Sequence, residues 1–389
     1  MRSGADEDVT VRLNGEIVAQ NALQLPTSPN RPKSRNDVER KSQGMNVRAS
    51  SPKLSVIVIT PDTYSSVRTY VLSLAQQTVR HMIEVVLCAP DREKLNLDED
   101  DLTAFAGYQT VEVGELTSSS VARTAGITVA RAPVVALSED HCFPDPAWAE
   151  AMINRHREPW SGVGPVIENA NPQSTVSWAN FIIEYGAWAS PHPGGETHHI
   201  SGHNSTYKRD ALLEYGDRLS DILEAESPMQ WDMRSRGHRF FVEPKAIVRH
   251  LNFSRLGASF ALRFWGGRLF AANRAATWGF GKRVLYFVAS PLIPIVRMVR
   301  AMRTLRRLRH GRRSPQLLAT LVLFLILDGL GEAVGYLAGA GTAMTRLSDW
   351  GEFHRHRFLQ PEEWHVATAS FSSATRPTED SHTAPTETP

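Results

Sequence analysis

The alternation of hydrophobic and polar positions divides the chain into four stretches. Residues 1–52 carry Ser, Asn, Pro and charge without a sustained period, which predicts a disordered arm. Order begins at Leu54-Ser-Val-Ile-Val-Ile59, a β-branched run of the kind buried on both faces of a sheet. Thr60-Pro61-Asp62 stops it, and helix-spaced apolar positions follow over 67–77. The pattern then predicts strands over 84–88 and 109–113, a helix over 119–130, and a strand over 133–137. Strands alternating with helices imply right-handed crossovers, so residues 53–255 are expected to form an α/β domain with a mostly parallel sheet flanked by helices. Ligands of such domains sit at the carboxyl ends of the strands.

From about residue 256 the texture changes. Residues 260–279 interleave aromatics with Arg and Gly, and 284–296 are uncharged but broken by proline. Residues 314–327 are again uncharged, ending at Asp328 and Glu332, which stand one helical turn apart. Gly331, Gly335 and Gly339 form a GxxxGxxxG series of the kind that seats a second helix and permits self-association. Residues 256–341 are therefore expected to be amphipathic, membrane-associated helices, and 342–389 a polar, largely disordered tail.

Charge sharpens this picture. The net charge of +2 conceals 84 residues (244–327) with no Asp or Glu and 16 Lys and Arg. Eight arginines lie within 297–313, so this segment is expected to face an anionic membrane surface. Nucleic acid is not expected as a partner, because the neighbours of these arginines are aliphatic rather than base-stacking aromatics. As a helix 284–296 would reach about 20 Å against a hydrocarbon core of ~30 Å, so it is expected to lie in the interface. The stretch 314–341 is the better candidate to cross or dip into the bilayer; a soluble amphipathic hairpin is the alternative. A mean hydropathy of -0.28 excludes a many-helix transporter, and two cysteines, Cys88 and Cys142, exclude a disulfide scaffold. Residues 1–24 hold no uninterrupted apolar run, so the folded domain is expected to be cytoplasmic; Met45 offers an alternative start.

Three constellations carry chemistry. Ser138-Glu139-Asp140-His141 closes a predicted strand, where two carboxylates and an imidazole suit either a divalent cation or an acidic turn leading to a helix. In Ile200-Ser-Gly-His-Asn204, Gly202 permits close backbone approach, and His203 and Asn204 supply polar groups before a helix. Glu224 and Glu226 open a further helix, where carboxylates are favoured by the helix dipole, and His250 follows a short strand. His192, His198 and His199 fit no common zinc spacing and read as loop histidines.

Taken in order, these motifs resemble family-2 glycosyltransferases with the GT-A fold, over about residues 54–252. Leu74-Ala-Gln-Gln77 and Ala122-Arg-Thr-Ala-Gly126 add to the likeness. The resemblance implies a membrane-associated, metal-dependent, inverting enzyme that moves a sugar from a nucleotide-sugar donor to a hydroxyl acceptor, lipid-linked or on a surface polysaccharide. It implies Glu139, His141 and His250 as ligands of Mn²⁺ or Mg²⁺, and Glu226 as general base with Glu224 as its alternate. Thr60, Pro61, Asp91, Arg123, Gly126 and Asp140 fall on the donor side, and Gly202, His203 and Asn204 on the acceptor side. The sequence departs from the family at Cys88-Ala89-Pro90, where acidic residues usually read the base of a UDP-sugar, and at Thr124, where Asn is usual. Two rivals stand beside this reading. One is a nucleotidyltransferase, disfavoured because Ile59-Thr-Pro-Asp-Thr-Tyr64 lacks a Gly-rich loop and a basic residue. The other is a non-catalytic membrane scaffold that kept the fold.

Overall fold

A computed structural model describes residues 51–116, 118–202, 204–308, 314–347, 359 and 363, and the backbone alone of 10–13, 16–19 and 46–47. Strands β1 (Thr10–Leu13) and β2 (Glu16–Ala19) pair antiparallel as a separate ribbon. Ten strands form the main sheet: β3 (Asn46–Val47), β4 (Leu54–Ile59), β5 (Ile83–Ala89), β6 (Gly107–Glu112), β7 (Val134–Leu137), β8 (Cys142–Pro144), β9 (Gly162–Asn169), β10 (Gly195–Thr197), β11 (Ser205–Lys208) and β12 (Phe240–His250). Their order is β10-β12-β9-β11-β7-β4-β5-β6-β3, with β8 paired to β12.

The alternation along β4 explains its burial on both faces. Val56 and Val58 join Val67, Tyr70 and Val71 of helix α1 (Tyr64–Ala75), whereas Ile57 packs with Ala122 and Ala125 of α2 (Ser119–Val129). The central strands β7, β4, β5 and β6 are parallel, as the alternating pattern requires. The whole sheet is mixed rather than purely parallel, with β9 and β12 forming a second parallel pair. Strand β11 runs antiparallel between β7 and β9, and β3, β8 and β10 also pair antiparallel. Short inserted strands leave no period by which to tell their direction.

The remaining helices are α3 (Trp148–Arg155), α4 (Thr175–Tyr185), α5 (Arg209–Leu213), α6 (Leu219–Leu223), α7 (Glu226–Ser235), α8 (Leu256–Arg274), α9 (Phe280–Ala289), α10 (Ile293–Arg307), α11 (Pro315–Ala338) and α12 (Ala343–Leu347). Leu317, Leu321 and Phe324 of α11 and Ala301 and Leu305 of α10 enter the same core as Phe181, Ile182 and Tyr185 of α4. The last helices thus share a core with the sheet domain. The glycine series has a different use from the one expected. A Cβ at Gly331 would lie 2.1 Å from the Phe264 carbonyl oxygen, and one at Gly335 2.3 Å from that of Arg268. The helix these glycines admit is the chain's own α8, which leaves that face closed to self-association, while Gly339 adopts φ +70° at the helix end.

Candidate active site

Strand order reverses beside β4: β5 and β6 lie on one side and β7 on the other. The carboxyl ends of β4 and β7 therefore flank the crevice where open α/β sheets bind ligands. Ser138 bolts these ends together, its hydroxyl donating to the Ile57 carbonyl at 2.6 Å. Glu139-Asp140-His141 forms the turn immediately after, between β7 and β8.

Sheet pairing brings His250 to this turn from more than a hundred residues away. Strand β8 pairs β12 with Cys142 opposite His250, and Leu251 N–H donates to the His141 carbonyl at 3.0 Å. As a result one ligand atom each from Glu139, His141 and His250 lies within 4.8 Å of the others. The His141 Nε2 to Glu139 Oε2 distance is 2.9 Å, and that from His250 Nε2 is 3.8 Å. The three side chains are 8%, 1% and 0% exposed, so the cluster is shielded from water.

The ring orientations follow from the partners. Asp140 Oδ1 lies 2.7 Å from His141 Nδ1, which turns Nε2 of the same ring toward Glu139. Asn252 Oδ1 lies in the same way 3.1 Å from His250 Nδ1. Asn252 is fixed because its amide donates to Asn169 Oδ1 and to the His250 carbonyl, both at 3.0 Å. The Tyr185 hydroxyl lies 3.1 Å from His250 Nε2. Two imidazoles with oriented Nε2 atoms and a buried carboxylate make a donor set that suits a divalent cation, with supporting partners of the kind metal sites use.

The loop from Gly202 to Asn204 is fastened to the same turn. Asn204 adopts φ +49°, its N–H donates to the Leu137 carbonyl at 3.0 Å, and its amide donates to the Cys142 carbonyl. The Tyr70 hydroxyl, held protonated by burial, donates to Asn204 Oδ1 at 3.0 Å. Asn204 is fully buried, so it braces the loop. His203 lies outside the described residues.

Glu226 is the first residue of α7 and sits against Gly202. A Cβ on Gly202 would fall 1.5 Å from Glu226 Oε2, so only glycine leaves room for this carboxylate. Arg123 of α2, with its side chain 5% exposed, places Nη1 3.6 Å from Glu226 Oε1. Glu226 itself is 29% exposed, which leaves one side open to an incoming group. The arrangement offers a cation seat and a carboxylate on one loop system.

The other residues singled out from the sequence make the following contacts. Glu224 is exposed beyond α6; partial burial, then the charge of Asp221, raises its pKa above the usual range. Thr60 is buried at the end of β4, its hydroxyl donating to the Thr63 carbonyl at 3.0 Å, and Pro61 follows it. Asp91 caps its own turn, accepting from Glu93 N–H at 2.9 Å and pairing with Lys94 at 2.9 Å. Gly126 is a packing position, since a Cβ there would meet Ile57 at 2.6 Å and Cys88 Sγ at 3.0 Å. Burial pushes the Cys88 thiol up to about 12, which keeps it inert. Sequence reasoning missed Tyr185 and Asn252. Asn252 stands two residues past His250, a spacing that carries no periodic signal, and Tyr185 comes from a different helix.

No protein-family profile matches the chain, and the comparison with curated proteins finds no match. Among solved structures, residues 1–349 of TarS from S. aureus share 18% identity at a TM-score of 0.38, covering 56% of this chain and 64% of that one. The same protein in complex with UDP-GlcNAc gives 17% identity and a TM-score of 0.36, over 50% of this chain and 58% of that one. The chain thus spans less than two thirds of the TarS structures it matches. The mannosyltransferase PcManGT from Pyrobaculum calidifontis, in complex with GDP-Man and Mn²⁺, gives 15% identity and a TM-score of 0.39, covering 87% of this chain and 93% of that one. None of these reaches a TM-score of 0.5.

Proposed function

We propose that the protein is an inverting glycosyltransferase that uses a nucleotide-sugar donor and a hydroxyl acceptor. The observation that carries this reading is the convergence of Glu139, His141 and His250 at the switch point of the sheet. Mn²⁺ or Mg²⁺ held by these three side chains would neutralise the donor diphosphate and the charge that develops on it as it leaves. Asp140 and Asn252 hold the two imidazoles in the ligating orientation.

Glu226 takes the proton of the acceptor hydroxyl as that oxygen attacks the anomeric carbon. The new bond forms on the face opposite the leaving group, the old C–O bond breaks, and its electron pair departs with the nucleoside diphosphate. Configuration inverts and no covalent enzyme intermediate forms. Gly202 and Arg123 keep the Glu226 carboxylate in one place, and Asn204 holds the Gly202 loop. The donor is a nucleotide-sugar, a UDP-sugar by the resemblance, although Cys88-Ala89-Pro90 replaces the acidic residues that usually read that base. The acceptor is lipid-linked or a glycan at a membrane, with the catalytic domain on the cytoplasmic side. The apolar stretch Phe280–Arg307, only 11% of whose apolar window is buried, supports the membrane setting.

Incubating the full chain with a panel of UDP- and GDP-sugars, Mn²⁺ and a detergent-solubilised lipid acceptor tests this reading. NMR of the product should show the anomeric configuration inverted relative to the donor. Retained configuration, or no transfer from any donor, refutes it.

A further inference from the structure

The described helices separate two roles that composition runs together. Both Phe280–Arg307 and Pro315–Ala338 are long and apolar enough to cross a membrane, yet only 11% of the apolar window of the first is buried, against 44% of the second. The first half of α11 lies in the domain core, where Leu317, Leu321 and Phe324 pack with α4. Its later half is clamped to α8 and α10. Arg297 donates to Asp328 at 2.8 Å and to Glu332 at 2.5 Å, and Arg263 lies 3.9 Å from Asp328. The two carboxylates that sequence places mid-membrane are thus paired inside the protein.

Helix α11 does expose Val322, Leu323, Ile326, Leu330 and Leu337 on its outer side, but α9 and α10 are covered far less. Leu285, Val288, Leu292, Ile295, Val296 and Val299 are all exposed. Steps of three and four place them along one side of both helices. Past Val299 the same run continues in arginines, with Arg300, Arg303 and Arg306 exposed. On the inner side Arg307 donates to the Gly186 carbonyl and Thr304 does so at 3.3 Å, which fixes α10 to the end of α4.

We propose that the α9–α10 stripe is a docking surface that seats the protein in a single leaflet of an anionic bilayer, with α11 a core helix that does not cross. This deepens the membrane-associated reading above and rests on it. A helix lying in the interface needs one apolar side along its length, and the apolar part of this stripe, residues 285–299, runs about 21 Å. A crossing α11 would have to leave the core it shares with α4. Charge complementarity selects the lipid, because no acidic residue occurs from 244 to 327 to oppose anionic headgroups.

The test uses flotation of the full chain with vesicles of phosphatidylcholine, with and without phosphatidylglycerol, at low and high salt. The chain should float with anionic vesicles. The triple variant Arg300→Gln, Arg303→Gln, Arg306→Gln should bind them roughly a hundredfold more weakly, at about one charge-headgroup contact per side chain. Leu285→Asn with Leu292→Asn and Ile295→Asn should abolish flotation on both compositions. Gln316→Cys and Thr342→Cys, at the two ends of α11, should both react with an impermeant maleimide added outside sealed vesicles, since native Cys88 and Cys142 are buried. A full chain that stays unbound, an arginine variant that binds as tightly as the parent, or protection of one labelled position each overturns the proposal. Nucleotide release in detergent is read in parallel. Release lost with flotation intact condemns the transferase reading and leaves the surface standing, whereas flotation lost with release intact does the reverse.

Discussion

Gly202→Ala is the substitution whose effect the geometry fixes most tightly. The added Cβ would lie 1.5, 1.9 and 2.2 Å from Glu226 Oε2, Cδ and Oε1, where carbon contacts normally begin near 3.5 Å. The carboxylate must therefore retreat by roughly 2 Å. It is the tip of a flexible side chain that is 29% exposed, so it can swing toward solvent without disturbing the backbone. Stability should fall by no more than about 1–3 kcal/mol, the usual cost of overpacking. Turnover should fall much further. A 1 Å misplacement of a catalytic group can cost about 10²-fold, and a general base contributes roughly 10²–10⁴-fold in all. We expect Gly202→Ala to lower kcat by about 10²–10⁴-fold while donor affinity stays close to that of the parent. Steady-state nucleotide release with saturating Mn²⁺, beside thermal unfolding and donor titration, reads the three quantities. Because Gly202 acts through Glu226, its loss should add little on a Glu226→Gln background. A folded Gly202→Ala protein within tenfold of parental turnover would refute the reasoning, as would two losses that simply multiply.

Other consequences follow from the same contacts. Glu139→Ala, His141→Ala and His250→Ala should each abolish Mn²⁺ binding in calorimetric titration, and unchanged binding in all three would remove the cluster from the site. Tyr185→Phe should shift Mn²⁺ affinity without unfolding the chain, because only the hydroxyl 3.1 Å from His250 Nε2 is lost; identical titrations would show that the contact is idle. His156 is buried and its pKa is depressed to about 4, with burial the leading cause. The unfolded chain then binds more protons below pH 6.5, so stability is fully present above that pH. It is lost as pH falls toward 4, by up to about 3 kcal/mol from this residue. Denaturant unfolding of the parent and of His156→Gln across pH 4–7 should show the steeper slope in the parent, and parallel slopes would contradict it. Arg297→Ala should destabilise the chain by about 3–5 kcal/mol, because it removes the nearest cation from the buried carboxylates of Asp328 and Glu332. Adding Asp328→Asn and Glu332→Gln should restore much of the loss in detergent thermal melts.

Much of the central sheet was legible because its evidence is local. The run 54–59 ends in four β-branched residues and becomes β4 with the predicted ends, and the expected strand over 133–137 is β7 with one residue trimmed. The antiparallel course of β11 was not legible, since four residues show neither direction nor neighbour. The site divides in the same way. Glu139 and His141 are marked by the strand that ends beside them, but that His250 stands beside them depends on β8–β12 pairing, which no spacing encodes. Gly126 and Gly202 look alike in sequence, yet one clears a helix against Ile57 and the other clears a carboxylate. The difference lies in what approaches each glycine, and that is set by tertiary structure. Likewise Gly331 and Gly335 announce a close helix without saying that it is α8 of the same chain.

Nucleotide release by the parent and by Glu226→Gln, each with Mn²⁺ and then with EDTA, bears most directly on sugar transfer at this site. With the best donor of the panel and its acceptor, the parent should release nucleotide with Mn²⁺ and stop with EDTA. Glu226→Gln should still bind donor but release nucleotide at least about a hundredfold more slowly. Release that is indifferent to EDTA, or a Glu226→Gln protein as fast as the parent, would contradict the assignment.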